Sequence, residues 1–181
     1  MKIFMIEAGE APRFLQLETD KLSSLEALAQ APSLERLFLR GPIPDLSPLA
    51  ALPALTELSL DGKVADLASL QALSGLRTLR LKGRFKDLSV VAALGGLEAL
   101  DLREVSASSD LSGLAGCRGI QRLVLPAKGG DFAFLKGWPA LESLEIARGF
   151  EQLATLPLSV VTLTLNPPTL DDLSLLGARP G

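Results

Sequence analysis

The sequence predicts an α/β repeat fold, in which short parallel strands stack into a solenoid and short helical returns back them. Three observations carry this prediction. First, Leu55, Leu58, Leu60, Gly62, Val64, Asp66, Leu67, Leu70 and Leu73 reappear 21 positions later as Leu76, Leu79, Leu81, Gly83, Phe85, Asp87, Leu88, Val91 and Leu94. The same phrase stands 21 positions earlier as Leu34, Leu37, Leu39, Gly41, Ile43, Asp45, Leu46, Leu49 and Leu52. Second, segments such as Glu57-Leu58-Ser59-Leu60-Asp61 alternate polar and apolar residues with the period of a strand that buries one face. Third, returns such as 66–73 space their apolar residues by three, which suits about one turn of 3₁₀ helix and is too short for an α-helix. A lone strand of this kind cannot hide its leucines. Stacked in parallel on its neighbours, with the return as a second wall, it can.

Taken in order, Lys2 to Ile6 reads as an apolar strand followed by a turn through Pro12, placed to cover the N-terminal end of the stack. The first repeat carries Leu15 and Leu17, and Lys21 stands where later copies have Asp. Strand-centre leucines then fall at Leu37, Leu58, Leu79, Leu100, Leu123, Leu144 and Leu163, in steps of 21, 21, 21, 23, 21 and 19. The step of 23 puts two extra residues around Ser106 to Ser109, a small polar stretch where a surface loop tolerates insertion. Pro167-Pro168 interrupts the last copy. One domain over 1–181 is expected: a cap strand and turn over 1–12, about eight repeats over 13–176, and a tail over 177–181.

The repeated Leu-x-x-Leu-x-Leu phrase resembles the leucine-rich-repeat family, and Ile43 to Leu55, IPDLSPLAALPAL, is similar to the bacterial, internalin-type repeats within it. The resemblance implies a horseshoe with a parallel sheet on its concave face and 3₁₀-like or irregular returns on its convex face. It also implies a scaffold that binds proteins, with partners that differ from member to member. One departure from the family concerns the asparagine that usually follows the strand: Pro42, Lys63 and Arg84 occupy that place. Gly41, Gly62 and Gly83 stand one residue earlier, where the backbone is expected to turn with positive φ.

Composition narrows the function. A net charge of -3 and a pI near 5.1 argue against nonspecific attraction to nucleic acid or anionic lipid. No apolar run approaches the roughly 18 residues of a membrane span, and Met1 to Ile6 is too short for the core of a signal peptide. The single Cys117 cannot form an internal disulfide, which agrees with a reducing, cytoplasmic setting.

Chemistry is sparse. The chain has no His and no Tyr, so the commonest general base and neutral-pH metal ligand are missing. Cys117 and Trp138 fall in the column of Leu52, Leu73 and Leu94 and are expected in the core. Gly113, Gly116 and Gly119 lack the strand and Gly-Lys-Ser of a phosphate-binding loop. Asp45, Asp66, Asp87, Asp110, Asp131 and Asp172 precede the returns, where Asp caps a helical turn; one carboxylate per repeat does not converge as a calcium site requires. No catalytic residue, cofactor or metal is expected.

The outward face of the strands remains. Its columns read Arg36, Glu57, Thr78, Ala99, Arg122, Ser143; Phe38, Ser59, Arg80, Asp101, Val124, Glu145; and Arg40, Asp61, Lys82, Arg103, Pro126, Ala147. In the second to fifth strands the cations Arg36, Arg40, Arg80, Lys82 and Arg103 outnumber the carboxylates Glu57, Asp61 and Asp101. Lys63, Arg84 and Lys86 continue that sign along the adjoining loops. Cross-strand pairing accounts for part of this pattern, at about 0.2–1 kcal/mol for each exposed pair. An exposed Phe38 and surplus arginine are the side chains that anchor protein interfaces. The expected function is a non-enzymatic scaffold whose concave face captures or inhibits a partner with an acidic surface, as an immunity protein or effector regulator does. The alternative is a recognition subunit for an enzyme carried on another chain.

Overall fold

A computed structural model describes residues 2–5, 12–20, 24–43, 45–126, 132–146 and 159–165. The expected residues Asp131, Ala147, Pro167, Pro168 and Asp172, and the tail over 177–181, lie outside them.

The strands form one sheet in chain order: β1 (Lys2–Met5), β2 (Phe14–Glu18), β3 (Arg36–Arg40), β4 (Glu57–Asp61), β5 (Thr78–Gly83), β6 (Ala99–Val105), β7 (Arg122–Leu125), β8 (Ser143–Ile146) and β9 (Thr162–Leu165). Among the described strands only β1 runs antiparallel, against β2. From β2 onward every neighbour is parallel. The register aligns Leu15, Leu37, Leu58, Leu79, Leu100, Leu123, Leu144 and Leu163 across the sheet. Such register is strongly specified when one face is buried, because a slip of one residue would turn every leucine to solvent.

Among the described residues six short 3₁₀ turns lie behind the sheet: η1 (Glu26–Gln30), η2 (Ser47–Ala51), η3 (Ala68–Ala72), η4 (Ser89–Ala93), η5 (Ser112–Gly116) and η6 (Ala133–Gly137). The spacing of three explains them. Leu49 N–H donates to the Leu46 carbonyl at 3.0 Å, Leu52 to Leu49 at 3.0 Å and Leu55 to Leu52 at 3.2 Å, and all four side chains are buried. A 3₁₀ turn eclipses residues three apart, so consecutive leucines of a return point at the same core. Leu58, Leu60, Leu79, Leu81, Leu100 and Leu102 form the centre of that core.

Trp138 and Cys117 are buried with the leucines of their column, and the indole N–H of Trp138 donates to the Leu114 carbonyl at 3.2 Å. Burial pushes the Cys117 thiol up to about 12, so it stays protonated at neutral pH. Gly113 serves packing, since a Cβ there would sit 2.6 Å from the Ser89 nitrogen.

Gly41, Gly62 and Gly83 have φ of 124°, 137° and 127°. Two constraints meet in this column. L side chains rarely adopt that conformation, and each glycine lies against the backbone of the coil behind it, so that a Cβ on Gly83 would stand 2.6 Å from the Gly62 carbonyl. Close backbone stacking replaces the asparagine ladder. The described members of the Asp column, Asp45, Asp66, Asp87 and Asp110, stand one residue before the N-cap leucine of each return and accept the N–H of the residue two ahead at 2.8, 2.9, 2.7 and 2.9 Å. The bonded residue opens the 3₁₀ turn, so the carboxylate satisfies a donor that the turn itself leaves free.

Candidate functional site

The outward face of the sheet is where polar side chains accumulate without a core to serve. Its column nearest the strand ends runs Glu18, Arg40, Asp61, Lys82, Glu104 from β2 to β6. Consecutive members are joined by ion pairs: Arg40 to Glu18 at 3.3 Å, Arg40 to Asp61 at 3.4 Å, Lys82 to Asp61 at 3.5 Å and Lys82 to Glu104 at 2.8 Å. The hydrogen bond to Glu104, and then the charge of Asp61, hold the Lys82 ammonium above its ordinary pKa.

Arg103 was expected opposite Lys82, and the structure corrects this. Arg80 pairs in register with Asp101, but Lys82 pairs with Glu104, so Leu81 alone faces both Leu102 and Arg103. This is a β-bulge in the one strand that precedes the two-residue insertion. It replaces a like-charged neighbour of Lys82 with a carboxylate and turns Arg103 back onto Asp101. Pro126, expected in the outward column after Arg103, is buried.

Asp101 is the hub of a second ladder. It accepts Arg80 Nε at 3.1 Å, Arg103 Nε at 3.1 Å and the Arg103 backbone N–H at 3.0 Å. Arg103 also reaches Glu145 at 3.5 Å. The Asp101 side chain is 12% exposed, whereas those of Arg80 and Arg103 are 49% and 46% exposed. The buried carboxylate thus anchors two cations whose outer atoms stay in water. Its hydrogen bond is also the leading reason that the Arg103 guanidinium is held above its ordinary pKa. A dent of about 130 Å³ lies between the two ladders, lined by Ser59, Asp61, Arg80, Lys82, Asp101 and Glu104 among others.

The aromatic part of the face also differs from expectation. Phe38 is half-buried, because Phe14 packs edge-on against it with ring centroids 5.4 Å apart. The Arg36 guanidinium lies over the Phe14 ring, 5.2 Å from its centroid. Phe14, Phe38 and Arg36 thus make one cluster on β2 and β3, at the end of the sheet nearest β1. Of the nine expected contact residues, Arg36 and Phe38 meet there and Arg40, Asp61, Arg80, Lys82, Asp101 and Arg103 meet in the ladders. Glu57 is half-buried on β4, in register beside Arg36, and among the described residues no side-chain hydrogen bond or ion pair joins it to either group.

Phe14, Glu18, Glu104 and Glu145 complete the face, and they change its charge. With three carboxylates added, the surplus of cations on the strands disappears. Phe14 and Glu18 could have been found by stepping the outward columns back onto β2; Glu104 was signalled only by the step of 23 itself.

No protein-family model and no curated protein sequence matches the chain. Solved structures do. An internalin, inlF, from Listeria monocytogenes strain 4b F2365 is 28% identical with a TM-score of 0.69, over 91% of this chain and 50% of that one. The internalin C2, inlC2, of the same strain is 24% identical with a TM-score of 0.66, over 92% of this chain and 76% of the other. The functional domain of InlJ from Listeria monocytogenes is 18% identical with a TM-score of 0.54, over 84% of this chain and 34% of that one. The chain therefore spans about half the length of the first internalin it resembles. Among the described residues no helix is long and apolar enough to cross a membrane. The repeat phrase, the sheet of in-register parallel strands and the likeness to two internalins together make this chain a leucine-rich-repeat solenoid of the internalin-like type, a fold that commonly serves as a protein-binding scaffold.

Proposed function

We propose that the concave face captures a partner protein and acts by occlusion, without turnover, as an immunity protein or a regulator of an effector would. One observation carries the reading. Phe14, Phe38 and Arg36 form an aromatic and cationic cluster on a rigid sheet whose core does not need them. Aromatic rings and arginine are enriched in protein interfaces and dominate their energetics. The ladders of Arg40, Asp61, Lys82, Arg80, Asp101 and Arg103 lie beside the cluster and supply hydrogen-bonding groups already held in place.

The pairing changes the partner that this face suits. Each of Arg40, Arg80, Lys82 and Arg103 is shared with a carboxylate of the same face, so a uniformly acidic partner would have to displace Glu18, Glu104 and Glu145. A surface carrying both signs, with an apolar patch opposite Phe38, fits without that cost. The test is capture from native cell extract with the wild-type chain and with an Arg36→Glu/Phe38→Ala variant, read by mass spectrometry. A specific partner recovered by the first bait and lost with the second is expected. Equal recovery by both baits contradicts the site.

A further inference from the structure

A second surface lies on the loop edge of the solenoid, away from the concave face, and its features stand independently of the reading above. After β3, Ile43 seals its loop to the next one: its N–H donates to the Lys63 carbonyl at 2.9 Å, and its carbonyl accepts the Ala65 N–H at 3.2 Å. One coil further on, the same pattern would join Val64 to Arg84 and Lys86. Those bonds are not made among the described residues. Instead, the Phe85 N–H reaches forward to Ser109 Oγ at 3.1 Å, within the insertion, and the Ser106 N–H donates to the Gly83 carbonyl at 2.7 Å. The loop after β5 follows the longer coil ahead of it and parts from the loop behind.

The parting leaves a groove of about 680 Å³ between residues 62–67 and 83–87. By the repeat register, the N–H and carbonyl of Val64 face it from one side, and the Arg84 carbonyl and Lys86 N–H from the other. Buried Phe85 and Leu67 contribute its apolar floor. Lys63, Arg84 and Lys86 are exposed along it, and no carboxylate pairs with them among the described residues. The two carboxylates of the lining, Asp66 and Asp87, are engaged by the N–H groups of Ala68 and Ser89.

We propose that this groove docks an acidic segment of a partner protein in extended conformation. Three features select that occupant. The unpaired backbone groups include donors and acceptors alternating as a strand edge does, which an extended peptide satisfies on both counts and a simple anion only on one. Strand periodicity places alternate side chains of the segment on the apolar floor and on the cationic rim. The three cations outnumber the two lining carboxylates and so fix the sign. The volume is that of a site for several residues.

Fluorescence anisotropy with a short labelled peptide alternating Glu and Val tests the proposal on the full chain. Saturable binding that weakens with salt is expected, with affinity falling about tenfold or more in a Lys63→Ala/Arg84→Ala/Lys86→Ala variant. These side chains are exposed, and an unchanged melting temperature shows that the variant folds. A Phe38→Ala variant should bind the peptide as the wild type does, so failure of the concave-face reading leaves this result untouched. A backbone N-methylated peptide of the same sequence should bind at least about tenfold more weakly, because it cannot pair as a strand. Absence of saturable binding, equal binding by the triple variant, or equal binding of the methylated peptide each overturns the proposal.

Discussion

Between the loops after β3 and β4, Ile43 makes two backbone hydrogen bonds to the coil ahead; between the loops after β4 and β5, Val64 makes neither. The two junctions are built from the same phrase, and their leucines are buried alike. The difference arises one coil further on, where two extra residues lengthen the segment after β6. That insertion has effects on both sides of its strand. On the concave face it introduces the bulge that sets Glu104 opposite Lys82, and on the loop edge it supplies the Ser109 hydroxyl that takes the Phe85 N–H. A stack of near-identical repeats acquires distinct surfaces where its period changes, while its core continues undisturbed.

If the core is indifferent to the insertion, substitutions on either side of it should cost the same. Leu79→Ala, in the regular stretch, and Leu102→Ala, at the bulge, should each destabilise by about 2–5 kcal/mol in denaturant titrations. Both side chains are fully enclosed. A markedly smaller cost at Leu102 would mean that the bulge loosens the interior, and an unchanged midpoint for Leu79→Ala would reject the register altogether.

Next in size is the hub that the bulge creates. Asp101→Ala should cost on the order of 1–2 kcal/mol, more than an exposed pair and less than a fully buried one, because Arg80 and Arg103 keep about half of their surface in water. A loss no larger than that of Glu104→Ala would show that the carboxylate is not a hub. Ser109→Ala removes the acceptor of the Phe85 N–H and should cost about 1 kcal/mol; no change would mean that the insertion does not hold the loop.

The caps should be the feature that the insertion leaves alone. Asp45, in the regular coils, and Asp110, just after the insertion, both lie below the ordinary carboxylate pKa, first because of the hydroxyl of the serine two residues on and then because of its N–H. A depressed folded pKa contributes stability that is present above the unfolded value of about 3.9 and is lost as pH falls through the lower folded value. Asp45→Asn and Asp110→Asn should therefore flatten the acid limb of a stability profile by similar small amounts. A large difference between them would show that the insertion perturbs its own return.

The same contrast explains what could be read from sequence. The strand-centre leucines, the positive-φ glycines at Gly41, Gly62 and Gly83, the 3₁₀ returns and the carboxylates that precede them follow from period and local chemistry, and among the described residues the structure has them where period places them. The outward face obeys a weaker constraint. Column counting works while strands stay in register, so Arg40, Asp61 and Lys82 fall as expected, and it fails at Arg103, where the bulge shifts the register by one residue. Phe14 and Glu18 escaped for a different reason, since a step of 22 separates Leu15 from Leu37 and the first repeat lacks the Asp that marks the others. The groove at Val64 depends on hydrogen bonds that are not made, which no residue pattern announces.

Amide hydrogen exchange on the wild-type chain tests most directly whether the insertion separates these junctions. Slow exchange is predicted at Ile43, Ala65 and Phe85, each of which has an acceptor, and fast exchange at Val64 and Lys86, which have none among the described residues. Protection of Val64 and Lys86 equal to that of Ile43 and Ala65 would contradict the account, because the two junctions would then be closed in the same way.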